Sequence, residues 1–171
     1  MRVIKSNSAK SVALCGVMTA LAIVFGYIEH LIPMPFGIYG LKLGLANLAV
    51  VIALYALNTY YALSINATRI ILCSMLFGSF TSFWYSIVGG ILSFAVMVLI
   101  KKSNKFSTIG VSVCGAIAHN IGQIIVAVII SEEFKIAFYL PVLLITGAIT
   151  GTLIGVISSA VLKAPIFQKS K

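Results

Sequence analysis

The chain has 171 residues, 61% hydrophobic and 9% charged, with 12 lysines and arginines against 3 acids, a net charge of +9 and a mean hydropathy of +1.15. A soluble domain carries roughly 25% charged residues, so this composition excludes a water-soluble globule and implies one integral membrane domain over residues 1–171, with no appended soluble module. The basic balance is explained by lysines flanking membrane spans, which removes the case for nucleic-acid binding.

The first apolar run, 11–28, has a basic flank like that of a signal peptide. It ends in "GYIEH" and has no small-residue cleavage site, so it is expected to remain as the first helix. The segment "HLIPMPFGIYGLKLG" then breaks the chain with two prolines and three glycines, and Lys42 within it opens the second helix. From Leu43 to Ile100 there are 58 residues with a single charge, Arg69. At helical rise that is roughly 87 Å, against a hydrocarbon core of about 30 Å, so three short crossings fit better than two. "LNTYY" and "FGSFTSF" supply the two breaks. The expected elements are six transmembrane helices in one all-α bundle, at approximately 11–28, 41–57, 60–77, 83–100, 107–130 and 137–162.

The lysines support this parity. Six crossings put Arg2, Lys5, Lys10, Lys101, Lys102, Lys105, Lys163, Lys169 and Lys171 on one side, together with both termini. Glu29, Glu132 and Glu133, with Lys42 and Lys135, fall on the other. The positive-inside rule makes the lysine-rich side cytoplasmic, so both termini are expected there.

Several chemistries are excluded. The chain contains no aspartate, and diphosphate chemistry on divalent cations needs clustered carboxylates. No "GxxxxGK[ST]" loop is present to cradle ATP phosphates. Cys15, Cys73 and Cys114 lie in separate apolar runs without ligand-like spacing, so no metal site is expected. The chain reads as non-enzymatic and without a cofactor.

The polar residues that remain inside apolar runs are costly there and mark a possible site. Arg69 falls near mid-depth of the third helix, either as partner to an anionic ligand or in a structural pair with helix-end carbonyls or Glu29. Lys42 either snorkels to the interface or adds to the anion-attracting field of a helix N-terminus. His119, Asn120 and Gln123 in "AHNIGQ" share one sector of the fifth helix, and Asn47 could join them. Such amides serve equally as interhelical hydrogen-bonding groups. Small residues recur as Ala9, Ala13, Gly16 and Ala20 on the first helix, and as Gly147, Gly151 and Gly155 on the last. That spacing lets helix backbones approach closely, within the bundle or against a partner.

With "IPMPFGIYGLKLGLAN", "LFGSFTSFWYSIVGG", "VCGAIAHNIGQ" and "YLPVLLITGAITGTLIG", which span 30–155, the chain resembles the Gx transporter family of small bacterial membrane proteins, also labelled heptaprenyl diphosphate synthase component I. The architecture is in turn similar to the S-components of energy-coupling-factor transporters. That resemblance implies a multi-pass protein of the bacterial cytoplasmic membrane. It would bind a vitamin-, flavin-, quinone- or isoprenoid-type solute through Lys42, Asn47, Arg69, His119, Asn120 and Gln123, beneath a lid formed by residues 33–40. It also implies docking through Ala9, Ala13, Gly16 and Ala20 onto a membrane coupling subunit served by cytoplasmic ATPases. The synthase label implies instead a non-catalytic membrane partner in heptaprenyl diphosphate or menaquinone synthesis. A structural subunit of a membrane redox complex is the third expectation.

Overall fold

The computed structural model describes residues 8–31, 44–164 and 167. Lys42 and the segment 33–40 lie outside the described residues. Within them the protein is all-helical, with six α-helices: α1 (Ser8–Leu31), α2 (Leu45–Ala56), α3 (Thr59–Leu76), α4 (Phe80–Lys102), α5 (Thr108–Ser131) and α6 (Leu140–Val161). A 3-10 segment, Phe134–Tyr139, precedes α6.

Local chemistry sets most boundaries. Asn58 caps α3 by accepting from the Tyr61 N–H at 3.0 Å, Ser79 caps α4 from Ser82 at 3.2 Å, and Ser107 caps α5 from Gly110 at 3.3 Å. Pro141 near the start of α6 lacks the N–H that a first turn leaves unpaired. Gly44, at φ +74°, turns the chain into α2, a conformation costly for other residues. The second helix therefore starts at Leu45 rather than near 41, and the last at Leu140 rather than 137, because the 3-10 turn occupies the intervening residues.

From α2 to α6 consecutive helices are joined by short connections and run antiparallel, and the Glu29–Leu45 hydrogen bond brings the end of α1 to the start of α2. The ends of α1, α3 and α5 therefore share one face of the bundle with the starts of α2, α4 and α6. The opposite face carries Lys10, Lys101, Lys102, Lys105 and Lys163 and, among the described residues, no acid. The acids Glu29, Glu132 and Glu133 all lie at the first face.

α2 is the centre of the fold. It packs against α1, α3 and α6, and nine of its 12 residues are buried. Twelve residues make about 18 Å of helix, too short to cross a hydrocarbon core of about 30 Å alone. Enclosed by its neighbours, it does not meet that requirement directly. α1, α4, α5 and α6 (with the 3-10 segment) are long and apolar enough to cross a membrane. Ile91, Leu99, Ile129, Ile145 and Leu153 point outward from them, as expected of lipid-facing flanks.

α6 lies close against α5 because its inner face is glycine. A methyl group at Gly151 would come within 2.8 Å of the Val113 Cα, and one at Gly155 within 2.6 Å of the Ile109 Cα. Van der Waals contact of this kind is what associates helices in lipid, where no hydrophobic drive exists between them.

Candidate functional site: a polar cavity at one end of the bundle

The cavity of about 290 Å³ is lined by all six helices and sits at the face opposite the lysines. It exists because α2 begins inside the bundle. Asn47, less than one turn into α2, lines the same space as His119 and Asn120, halfway along α5. Its volume lies at the lower end of ligand pockets, roughly 300–1,000 Å³.

α3 supplies the charge. The Arg69 guanidinium is half-buried and donates through Nε (3.1 Å) and Nη2 (2.9 Å) to Asn66 Oδ1. Asn66, itself buried, donates from Nδ2 to the Gly90 carbonyl of α4 at 3.3 Å. The arginine is thus held by an amide anchored to the next helix. Glu29, from the last turns of α1, lines the same cavity and interacts electrostatically with Arg69. Glu29 Oε1 also accepts from the Leu45 N–H at 2.7 Å, satisfying one orphan donor of the α2 N-terminus.

α5 supplies the imidazole and an amide. His119 packs where Gly89 of α4 leaves room: a methyl there would lie 2.9 Å from the ring. Asn120 donates through Nδ2 to the Leu143 carbonyl of α6 at 2.6 Å. Phe77, at the end of α3, closes one wall against Tyr27 (ring centroids 4.8 Å apart) and His30 (6.3 Å).

The cavity therefore brings together Asn47, Arg69, His119 and Asn120. Gln123 is not in its lining. It is 2% exposed, and neither polar atom of its amide has a hydrogen-bond partner among the described residues. Ala9, Ala13, Gly16 and Ala20 are exposed on α1, and a methyl at Gly16 would meet nothing within 4 Å. Sequence reasoning did not place Glu29, Cys73, Ser82, Ser86 or Thr150 at the site. Only the scarcity of acids pointed to Glu29, as a potential partner of Arg69. No cluster of three or more potential metal ligands occurs among the described residues.

Apolar flanks, a buried central helix and a chamber lined by amides and one compensated arginine define a multi-pass helical membrane protein with an internal ligand-sized site. The chain belongs to the heptaprenyl diphosphate synthase component I family, whose profile matches residues 18–161. The match runs from within α1 to the end of α6 and includes every residue of the cavity lining. No curated protein and no solved structure matches the chain significantly.

Proposed function

We propose that the protein captures a small amphipathic or anionic solute in this cavity, as the non-catalytic membrane subunit of a larger assembly in the bacterial cytoplasmic membrane. The observation that carries the reading is the convergence of Asn47, Arg69, His119 and Asn120 on one cavity. Polar groups tolerated in an apolar bundle are expensive, and their sharing a chamber is what ligand recognition requires. With the lysine-rich face cytoplasmic, the cavity opens to the outside.

Two assemblies are supported by different observations. The exposed small-residue face of α1 suits docking on a membrane coupling subunit, with partner ATPases driving transport. The family description favours association with a prenyl diphosphate synthase. In that case the catalytic carboxylates belong to the other component, since this chain has three acids and no aspartate.

Cys73 lines the cavity and reports on its occupancy. In a Cys15→Ala/Cys114→Ala background, a bound solute is expected to slow maleimide labelling of Cys73, and Arg69→Ala to abolish that protection. Labelling indifferent to every solute tried overturns the capture reading. Affinity purification separates the assemblies: a coupling subunit with ATPases, lost in Gly16→Leu, or an aspartate-rich soluble synthase subunit.

A further inference from the structure

The charges of the cavity narrow the ligand class, on the assumption that the cavity binds a solute at all. Among the described residues its lining contains one guanidinium, one carboxylate and no lysine. Arg69 is already engaged by Asn66 and shares the cavity with the Glu29 carboxylate, with which it interacts electrostatically, so the formal charge of the two is zero. The Glu29 carboxylate also occupies the Leu45 N–H, the place at the α2 N-terminus where a ligand's anion would otherwise be drawn. Every other polar lining side chain is an amide, a hydroxyl, a thiol or an imidazole. Gly26, Ala46, Ile70, Phe77 and Ile154 complete an apolar wall.

We infer that the cavity selects an amphiphile with an uncharged, hydrogen-bonding head group and rejects a diphosphate, and that Glu29 is the residue that sets this preference. A diphosphate brings more than one negative charge into a space whose single guanidinium or ammonium among the described residues is compensated. It would have to sit beside a carboxylate in surroundings less polar than water, where like charges repel strongly. An alcohol, carbonyl or amide head meets no such penalty and finds uncharged polar side chains on all six helices. Glu29 acts here as a specificity determinant through its charge, while its hydrogen bond to Leu45 is structural.

Substitution with glutamine separates the two roles, because the amide oxygen can still accept from Leu45. Geraniol and geranyl diphosphate share one apolar body and differ in the head. Their affinities are read from protection of Cys73 in the Cys15→Ala/Cys114→Ala background, in nanodiscs. The wild-type cavity is expected to bind geraniol at least about tenfold more tightly, and Glu29→Gln to raise diphosphate affinity about tenfold with little change for the alcohol. A wild-type preference for the diphosphate, or a ratio unmoved by Glu29→Gln while both probes bind, overturns this inference and leaves solute capture standing. Protection by neither probe removes the capture reading and this one with it. Should Glu29→Gln fail to fold, the wild-type ratio alone decides.

Discussion

Glu29 and Leu45 are joined by a 2.7 Å hydrogen bond in which the carboxylate accepts from the first backbone N–H of α2, across 16 residues of sequence. Helix α2 thus takes its N-terminal cap from α1. Its own N-cap residue, Gly44, has no side chain to do so. Replacing Glu29 with alanine removes the acceptor and a charge placed favourably on the helix dipole, at about 1 kcal/mol, or roughly 2–4 °C in unfolding midpoint for a chain of this size. Glu29→Gln keeps the acceptor and is expected to lose less than half of that. Thermal unfolding of the two variants in one detergent checks the order.

Gly155 and Gly16 make a contrasting pair. A methyl at Gly155 would press to 2.6 Å on the Ile109 backbone, which cannot move aside as a side chain could. Gly155→Ala is expected to separate α5 from α6 and to cost about 1–3 kcal/mol. Gly16→Ala meets nothing within 4 Å and also removes a helix-weakening glycine, so its midpoint should hold or rise. Equal losses from both would show that α1 packs inward through Gly16.

The number of helices was readable because charge is so rare in this chain that each cluster marks a membrane surface. Caps at Asn58, Ser79 and Ser107 sharpen breaks that composition only located. The start of α2 was not readable. A run uncharged from 43 to 68 carries no depth marker, and the stop comes from the backbone at Gly44. The 3-10 turn before α6 was equally silent, since Phe134–Tyr139 is mostly apolar and runs without a break into the helix it precedes. At the site, rarity of charge singled out Arg69, and helical spacing grouped His119 with Asn120. Spacing also grouped Gln123 with them, but which turn of α5 faces a void depends on where α2 begins. Ser82, Ser86 and Thr150 look like any small polar residue in an apolar helix until the packing assigns them a face.

Lys101 ties the lysine-rich end together. Its Nζ donates to the Leu54 carbonyl in the last turn of α2 and lies 5.0 Å from the centre of the Tyr55 ring. A cation at a helix C-terminus complements the dipole and satisfies a carbonyl that the helix leaves unpaired. Lys101→Met keeps the apolar stem and removes the charge, so a loss of about 1 kcal/mol isolates the capping contribution. Lys102→Met, on the exposed neighbour, is the control and should leave the unfolding midpoint unchanged.

Asn66 positions Arg69 without lining the cavity. Its Oδ1 receives two guanidinium hydrogen bonds while Nδ2 reaches the Gly90 carbonyl on α4. Asn66→Ala should release the arginine within the chamber and weaken solute protection of Cys73. Asn66→Asp keeps the acceptor but loses the link to α4 and adds a buried charge. Alanine should therefore act mainly on solute affinity and aspartate on both affinity and stability, which titrated labelling and unfolding midpoints measure separately.

Gln123 offers the converse case, a polar group whose removal should help. It is 2% exposed, and among the described residues both its amide oxygen and amide nitrogen lack a partner. An unsatisfied buried amide costs about 1–3 kcal/mol relative to an apolar group of the same shape. Leucine approximates glutamine in volume and length, so Gln123→Leu is expected to raise the unfolding midpoint by roughly 2–4 °C. Because Gln123 lies outside the cavity lining, protection of Cys73 by a bound solute should persist in this variant, whereas Asn120→Leu, which loses the 2.6 Å bond to Leu143 and a lining amide, should lower both. A fall in midpoint for Gln123→Leu would mean that the amide is satisfied in the working protein, and loss of protection would place it among the groups that contact the solute.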